Sequence, residues 1–229
     1  MYKHAYAYFL LALLIAIGGF YPSFFGRLGQ TDPIRMFHGV TATVWLLMLI
    51  GQSWLYAHRH MRLHRLIGRF SLLVVPLFLI SGTLVLHDML AGQQRGFVKA
   101  FGTMLGFLDL TSILYFGWTY WMAIAHRNRI QLHARYMAST ATLLLPPALA
   151  RLMAGLHLPF ITSFMSGIHA SYFATELVVL ALLLSDWRNG GIKKPYVVLM
   201  IFTVFQHVSV LVTPKIGWLN DAARAFGAL

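Results

Sequence analysis

The sequence predicts an all-α, polytopic membrane protein: a single bundle of about seven transmembrane helices with its N-terminus in the cytoplasm. Three observations carry that expectation. Of 229 residues, 59% are hydrophobic and only 10% charged, whereas a soluble domain carries about a quarter charged residues. Apolar runs recur from one end to the other, several near the roughly 20 residues that cross about 30 Å of hydrocarbon. The lysines and arginines gather in short connections between those runs. Together these features exclude a soluble enzyme, a disordered chain and a fibrous repeat. The net charge of +12 would suggest nucleic acid in a soluble protein. Here lipid phosphate and membrane topology account for it, and no nucleic-acid partner is expected. Cysteine is absent, which excludes disulfides, thiolate metal sites, iron–sulfur clusters and covalently attached c-type haem.

Seven spans are expected, at 5–25, 36–57, 69–90, 99–124, 134–154, 161–185 and 195–213. The first has a lysine before an apolar core, as a signal peptide does. It lacks a small-x-small cleavage site and runs into Phe20, Tyr21, Phe24 and Phe25, so it reads as a retained helix. Pro76, Pro146 and Pro147 fall inside spans, where kinks or freed carbonyls are expected. Residues 1–213 form the transmembrane domain. In the tail, 214–229, the spacing of Trp218, Ala222 and Phe226 predicts a short helix lying in the outer interface. No internal repeat stands out.

Orientation follows from the basic residues. Lys3, Arg59, Arg62, Arg65, Arg69, Arg127, Arg129, Arg135, Arg188, Lys193 and Lys194 make eleven on one side. Arg27, Arg35, Arg95, Lys99, Arg151, Lys215 and Arg224 make seven on the other. The positive-inside rule places the richer side, and the N-terminus, in the cytoplasm, and the expected location is a bacterial inner membrane.

Ionisable groups within spans are costly and usually face a protein interior, a cavity or a cofactor. Towards the outer side lie His38, His87, Asp88, Asp109, Arg151, His157, His169, Glu176 and His207. His169 and Glu176 are seven residues apart, on one helix face about 10 Å apart along the axis. His38, Thr41, Trp45 and Gln52 form a second stripe at spacings of three, four and seven. Towards the inner side, His64 opens one span and His133 opens another, so a cofactor held between them is geometrically feasible. Each site has a plainer reading. Histidines at helix ends are commonly interfacial or capping residues, and Asp109 and Glu176 could pair with Arg151 in a buried network.

The run FHGVTATVWLLMLIGQSWL, followed by LHRLIGR, resembles a widespread group of bacterial multispan membrane proteins of unknown function. Members share HG, then W, then Q, then HRxxG. The positions His133, Arg135, Tyr136, Met137, Arg151 and Leu152 extend the likeness, which covers roughly residues 20 to 155. It implies that His38, Trp45, Gln52, His64, Gly68, His133, Arg135 and Arg151 belong to a shared pattern, and it implies no reaction. LHRLIGR also looks loosely similar to the helix starts of cytochrome b561-type proteins, although span four lacks the buried histidine of a two-haem scheme.

Three classes of function are compatible with these residues. The first is a haem b protein exchanging electrons with quinone. Its cofactor site would draw on His38, His64, His133 and His169, with Arg135 and Arg151 for the propionates. The second is a metal-dependent membrane enzyme, a lipid hydrolase or an oxygenase. It would hold zinc, iron or copper on His87, His169 and His207, with Glu176 or Asp109 as catalytic base. The third is a non-catalytic transporter or an accessory subunit of a membrane complex.

Overall fold

The computed structural model describes residues 4–92 and 96–229. Lys3 and Arg95, both used in the charge count, lie outside the described residues. Those that are described form helices and no strand. Six helical segments are long and apolar enough to cross a membrane. Leucines, isoleucines and aromatic residues stay exposed along them, as expected of surfaces that face lipid.

The first helix, α1 (Ala5–Phe20), is shorter than the sequence predicts. Its 16 residues rise only about 24 Å, less than the hydrocarbon thickness. Beyond Tyr21 the chain turns at Phe24 into a 3-10 segment, Phe25–Gln30. Close packing accompanies that turn. A Cβ at Gly19 would run into the Ala148 carbonyl, and one at Gly39 would run into the Phe24 ring. The expected first span is therefore a short helix seated against its neighbours.

The next helix, α2 (Pro33–Ala57), begins with an Asp32 cap whose carboxylate accepts the Arg35 N–H at 3.0 Å, and with proline in its first turn. That start is favourable because the cap satisfies an otherwise orphaned N–H and proline has none to lose. The third, α3 (Met61–Ala91), runs unbroken through Pro76, and α4 (Gly96–Ala125) returns. The predicted fifth span is broken into α5 (Ile130–Thr142) and α6 (Leu145–Gly155). Pro146 and Pro147 supply no N–H to the preceding turn, so the break falls just before them. Then come α7 (Phe164–Arg188), started by a Ser163–Ser166 capping box, and α8 (Lys194–Val212). The tail does form a helix, α9 (Gly217–Gly227), after a 3-10 turn at Thr213–Lys215. It folds back on the end of α3, where Phe226 meets the His87 ring edge-on at 5.5 Å.

Helices α2 to α5 share a core around Trp45, which is 1% exposed. Its ring packs edge-on against Phe116 and Tyr120 of α4. Its indole N–H donates to the Thr140 hydroxyl of α5 at 3.2 Å, so the polar end of a large apolar side chain is satisfied. Around this core, α1 leans on α2 and α6, while α7 packs between α6 and α8.

Candidate functional site

Up-and-down threading puts the ends of α2, α4 and α7 beside the starts of α3, α5 and α8. This end carries most of the basic residues and is the one the sequence expectation calls inner. A buried ion pair fastens it. Arg135 of α5 and Asp186 of α7 are 2% and 0% exposed. Arg135 Nε donates to both Asp186 oxygens, at 3.0 and 2.8 Å, and Nη2 donates to Oδ1 at 2.6 Å. A third branch, Nη1, donates to the Gln131 carbonyl at 2.8 Å. The Lys193 N–H reaches Asp186 Oδ2 at 3.3 Å. Gly190 and Gly191, at φ 104° and 98°, make the left-handed turn that brings it back.

Two histidines sit at this end in matching settings. His64 at the start of α3 hydrogen-bonds through Nδ1 to the Gln52 main-chain carbonyl of α2, at 3.2 Å. His133 at the start of α5 bonds through Nδ1 to the Ala123 carbonyl of α4, at 2.8 Å. A carbonyl can only accept, so Nδ1 carries the proton and Nε2 of the neutral ring keeps its lone pair. Neither Nε2 contacts a described hydrogen-bonding group, and the two residues are near enough to interact electrostatically.

The setting is duplicated in sequence. Ala57-His58-Arg59 then Leu63-His64 returns as Ala125-His126-Arg127 then Leu132-His133. His58 and His126 each bond through Nδ1 to the carbonyl four residues back, at 2.9 and 2.8 Å. Beside His64 lies an unpaired amide: both polar atoms of the Gln52 side chain are buried without a hydrogen-bond partner. Gly68, one turn beyond His64, is the neighbour whose Cβ would approach Gln52 Nε2 to 3.9 Å.

The outer end is built differently. His169 Nδ1 lies 3.0 Å from His207 Nε2, and His207 Nδ1 lies 2.9 Å from Glu176 Oε1. Tyr172 stacks on His207 at 5.4 Å and its hydroxyl donates to Gln206 Oε1 at 3.3 Å. The Gln206 amide in turn donates to Leu108 O, Thr111 and Ser112 of α4. His38 sits apart, stacked on Phe78 with Nδ1 3.1 Å from the Ser81 hydroxyl.

Of the expected metal set, His169 and His207 meet, while His87 is held against Phe226 instead. Among the described residues no three histidines or carboxylates gather as a metal-binding group. Arg135, expected to meet propionates, is taken up by Asp186. Glu176 pairs with His207 rather than Arg151. Arg151 lies over the Phe20 ring at 4.7 Å and donates to Pro147 O, and it feels Asp109 only electrostatically.

The fold and its two histidine sets define a multipass helical membrane protein. No known family, curated protein or solved structure matches the chain.

Proposed function

We propose that this chain is a haem b protein of a bacterial inner membrane, N-terminus inside, that exchanges electrons with quinone. It would belong with the multispan group its HG…W…Q…HRxxG pattern resembles. One observation carries the reading: two imidazoles, on the first turns of α3 and α5, each fixed through Nδ1 with Nε2 unengaged. The chemistry of this donor set favours haem over a bare ion. Zinc wants three or four protein ligands, whereas a porphyrin supplies four nitrogens and needs only one or two imidazoles.

When bound, haem would supply one-electron chemistry. The protein's part is to present the ligands. Carbonyl acceptors at Nδ1 hold ring orientation and raise the basicity of Nε2. Exposed Arg62, Arg65 and Arg69 stand near His64 for anionic propionates, in place of Arg135. Gln52 offers an amide with no other partner. Two shallow surface hollows lie along α3, one lined by Arg59, Arg62 and Arg65 and the other by Leu66, Arg69 and Phe70, and neither is lined by His64 or His133. Neither hollow lies between the two histidines, so seating a porphyrin there requires the inner ends of α3 and α5 to part.

The test is a reduced-minus-oxidised absorption spectrum of detergent-purified protein, with elemental analysis of the same sample. A sharp α-band with iron is expected, and His64→Ala or His133→Ala should remove it while the protein still inserts. A flat spectrum, or full haem in both variants, overturns the assignment.

A further inference from the structure

The outer triad has a property that the inner pair lacks: its three groups are hydrogen-bonded in series. Glu176 lies twelve residues from either end of the 25-residue α7, about 18 Å from each and so at mid-depth. His169 is within the first two turns of that helix, near the outer surface, and His207 on α8 bridges them. The side chains of His207 and Glu176 are 23% and 20% exposed. They are partly open to the lipid-facing surface, which carries exposed apolar Phe173, Leu177 and Val208. We propose that His169, His207 and Glu176 are a proton-transfer site that serves the head group of a lipid-soluble quinone or quinol docked against His207 and Glu176 from the bilayer.

The wiring permits one proton per passage with every bond accounted for. With Glu176 ionised, His207 Nδ1–H donates to its carboxylate, and His207 Nε2 accepts from His169 Nδ1–H. A proton arriving on His169 Nε2 then displaces the Nδ1 proton onto His207 Nε2. His207 gives its own Nδ1 proton to Glu176. Both imidazoles end neutral in the opposite tautomer and the carboxyl is protonated, poised to protonate a reduced quinone oxygen. In the reverse sense, the two quinol O–H bonds break in turn, each proton passes to Glu176 and along the chain to the outer surface, and the two imidazoles reset their tautomers between passages. Haem bound as proposed above would accept the two electrons of quinol oxidation singly and would supply those of quinone reduction, and on that reading alone this redox part rests.

The other groups facing the chain help to hold it. Tyr172 lies flat on His207 and is anchored through Gln206, while Asp109 of α4 acts electrostatically on Tyr172 and Arg151 of α6 on Asp109. Partly exposed at mid-depth beside exposed apolar side chains, His207 and Glu176 are reached from the lipid phase, which favours a lipid-soluble small molecule. Exposed Phe173 provides aromatic surface beside them.

The experiment uses full-length protein in lipid nanodiscs with decylubiquinone as probe. Equilibrium binding is measured for wild type, Glu176→Gln and His169→Gln, with gel filtration as the folding control. Binding at least tenfold weaker in Glu176→Gln is expected. An infrared carboxyl band that titrates with pH in wild type should be missing from that variant and shifted in His169→Gln. Unchanged binding, or an unchanged carboxyl band, overturns the proposal whether or not haem is present. Where haem is present, decylubiquinol should reduce it at least tenfold more slowly in Glu176→Gln, with an unaltered haem spectrum. A wild-type rate in that variant also overturns it. Loss of haem from wild type refutes only the redox reading and leaves binding and infrared to decide the triad.

Discussion

The inner and outer histidine sets use one side chain for two opposite purposes. At the inner end each ring spends Nδ1 on a main-chain carbonyl and keeps Nε2 unengaged, which is how a ligand is presented. At the outer end His207 uses both nitrogens, one on His169 and one on Glu176, which leaves that ring no nitrogen to coordinate and makes a path for protons. The ends also differ in fastening. The inner one is closed by a fully buried ion pair, while Arg35 at the outer one bridges Asp32 and Asp88 at 2.7 Å each with 52% of its side chain exposed. The lesson is that a count of histidines per side says little. The partner of Nδ1 decides what Nε2 can do.

The largest expected effect breaks the inner fastening. Asp186→Ala removes a bidentate acceptor from a buried guanidinium, and losing one partner of such a pair costs about 3–5 kcal/mol. Thermal unfolding in detergent should show it as a large fall in midpoint. Arg35→Ala, at the exposed counterpart, should cost no more than about 1 kcal/mol for the lost ion pairs. Equal losses would remove the distinction between the two ends.

A second change sharpens the inner site itself. Gln52→Leu replaces an amide with no partner by an apolar side chain of similar size. Relieving the desolvation of an unpaired polar group is worth about 1–3 kcal/mol, so the haem-free protein should become more stable. If that amide serves the ligand instead, haem retention should fall in the same variant. Higher stability with undiminished haem would strip Gln52 of any role in the site.

Much of this architecture is legible in the chain. Hydropathy alone predicts the helical bundle, and the paired prolines mark the α5–α6 break because they lack the N–H a continuous helix needs. The seven-residue spacing of His169 and Glu176 puts them on one face. Their partner His207 stands on another helix, whose rotation periodicity does not fix. Asp186 is hidden for a different reason: it reads as one more polar residue in a basic connection, although a lone acid followed by Gly190-Gly191 is a signal. The repeated Ala-His-Arg and Leu-His is masked by a one-residue difference in spacing between its copies. In α1 the apolar count runs on through Gly18, Gly19 and Pro22, where close packing and missing hydrogen bonds stop the helix.

The smallest expected effect concerns the outer end and its dependence on pH. Asp32 lies outside the spanning segments, and the Arg35 backbone N–H is the main cause holding its carboxyl below the usual range, helped by the Arg35 guanidinium. A carboxylate whose folded value is depressed binds protons more weakly in the folded state than in the unfolded one. Its contribution is therefore complete above the unfolded value, near 4, and fades as pH falls through the lower folded value. An N-cap of this kind is worth about 1 kcal/mol. Asp32→Ala should accordingly lower the unfolding midpoint slightly at neutral pH and progressively less towards pH 3. Asp186→Ala should behave otherwise at neutral pH, where its deficit is several times larger. A gap between wild type and Asp32→Ala that stays constant down to pH 3 would mean the cap acts through helix geometry and not through its charge.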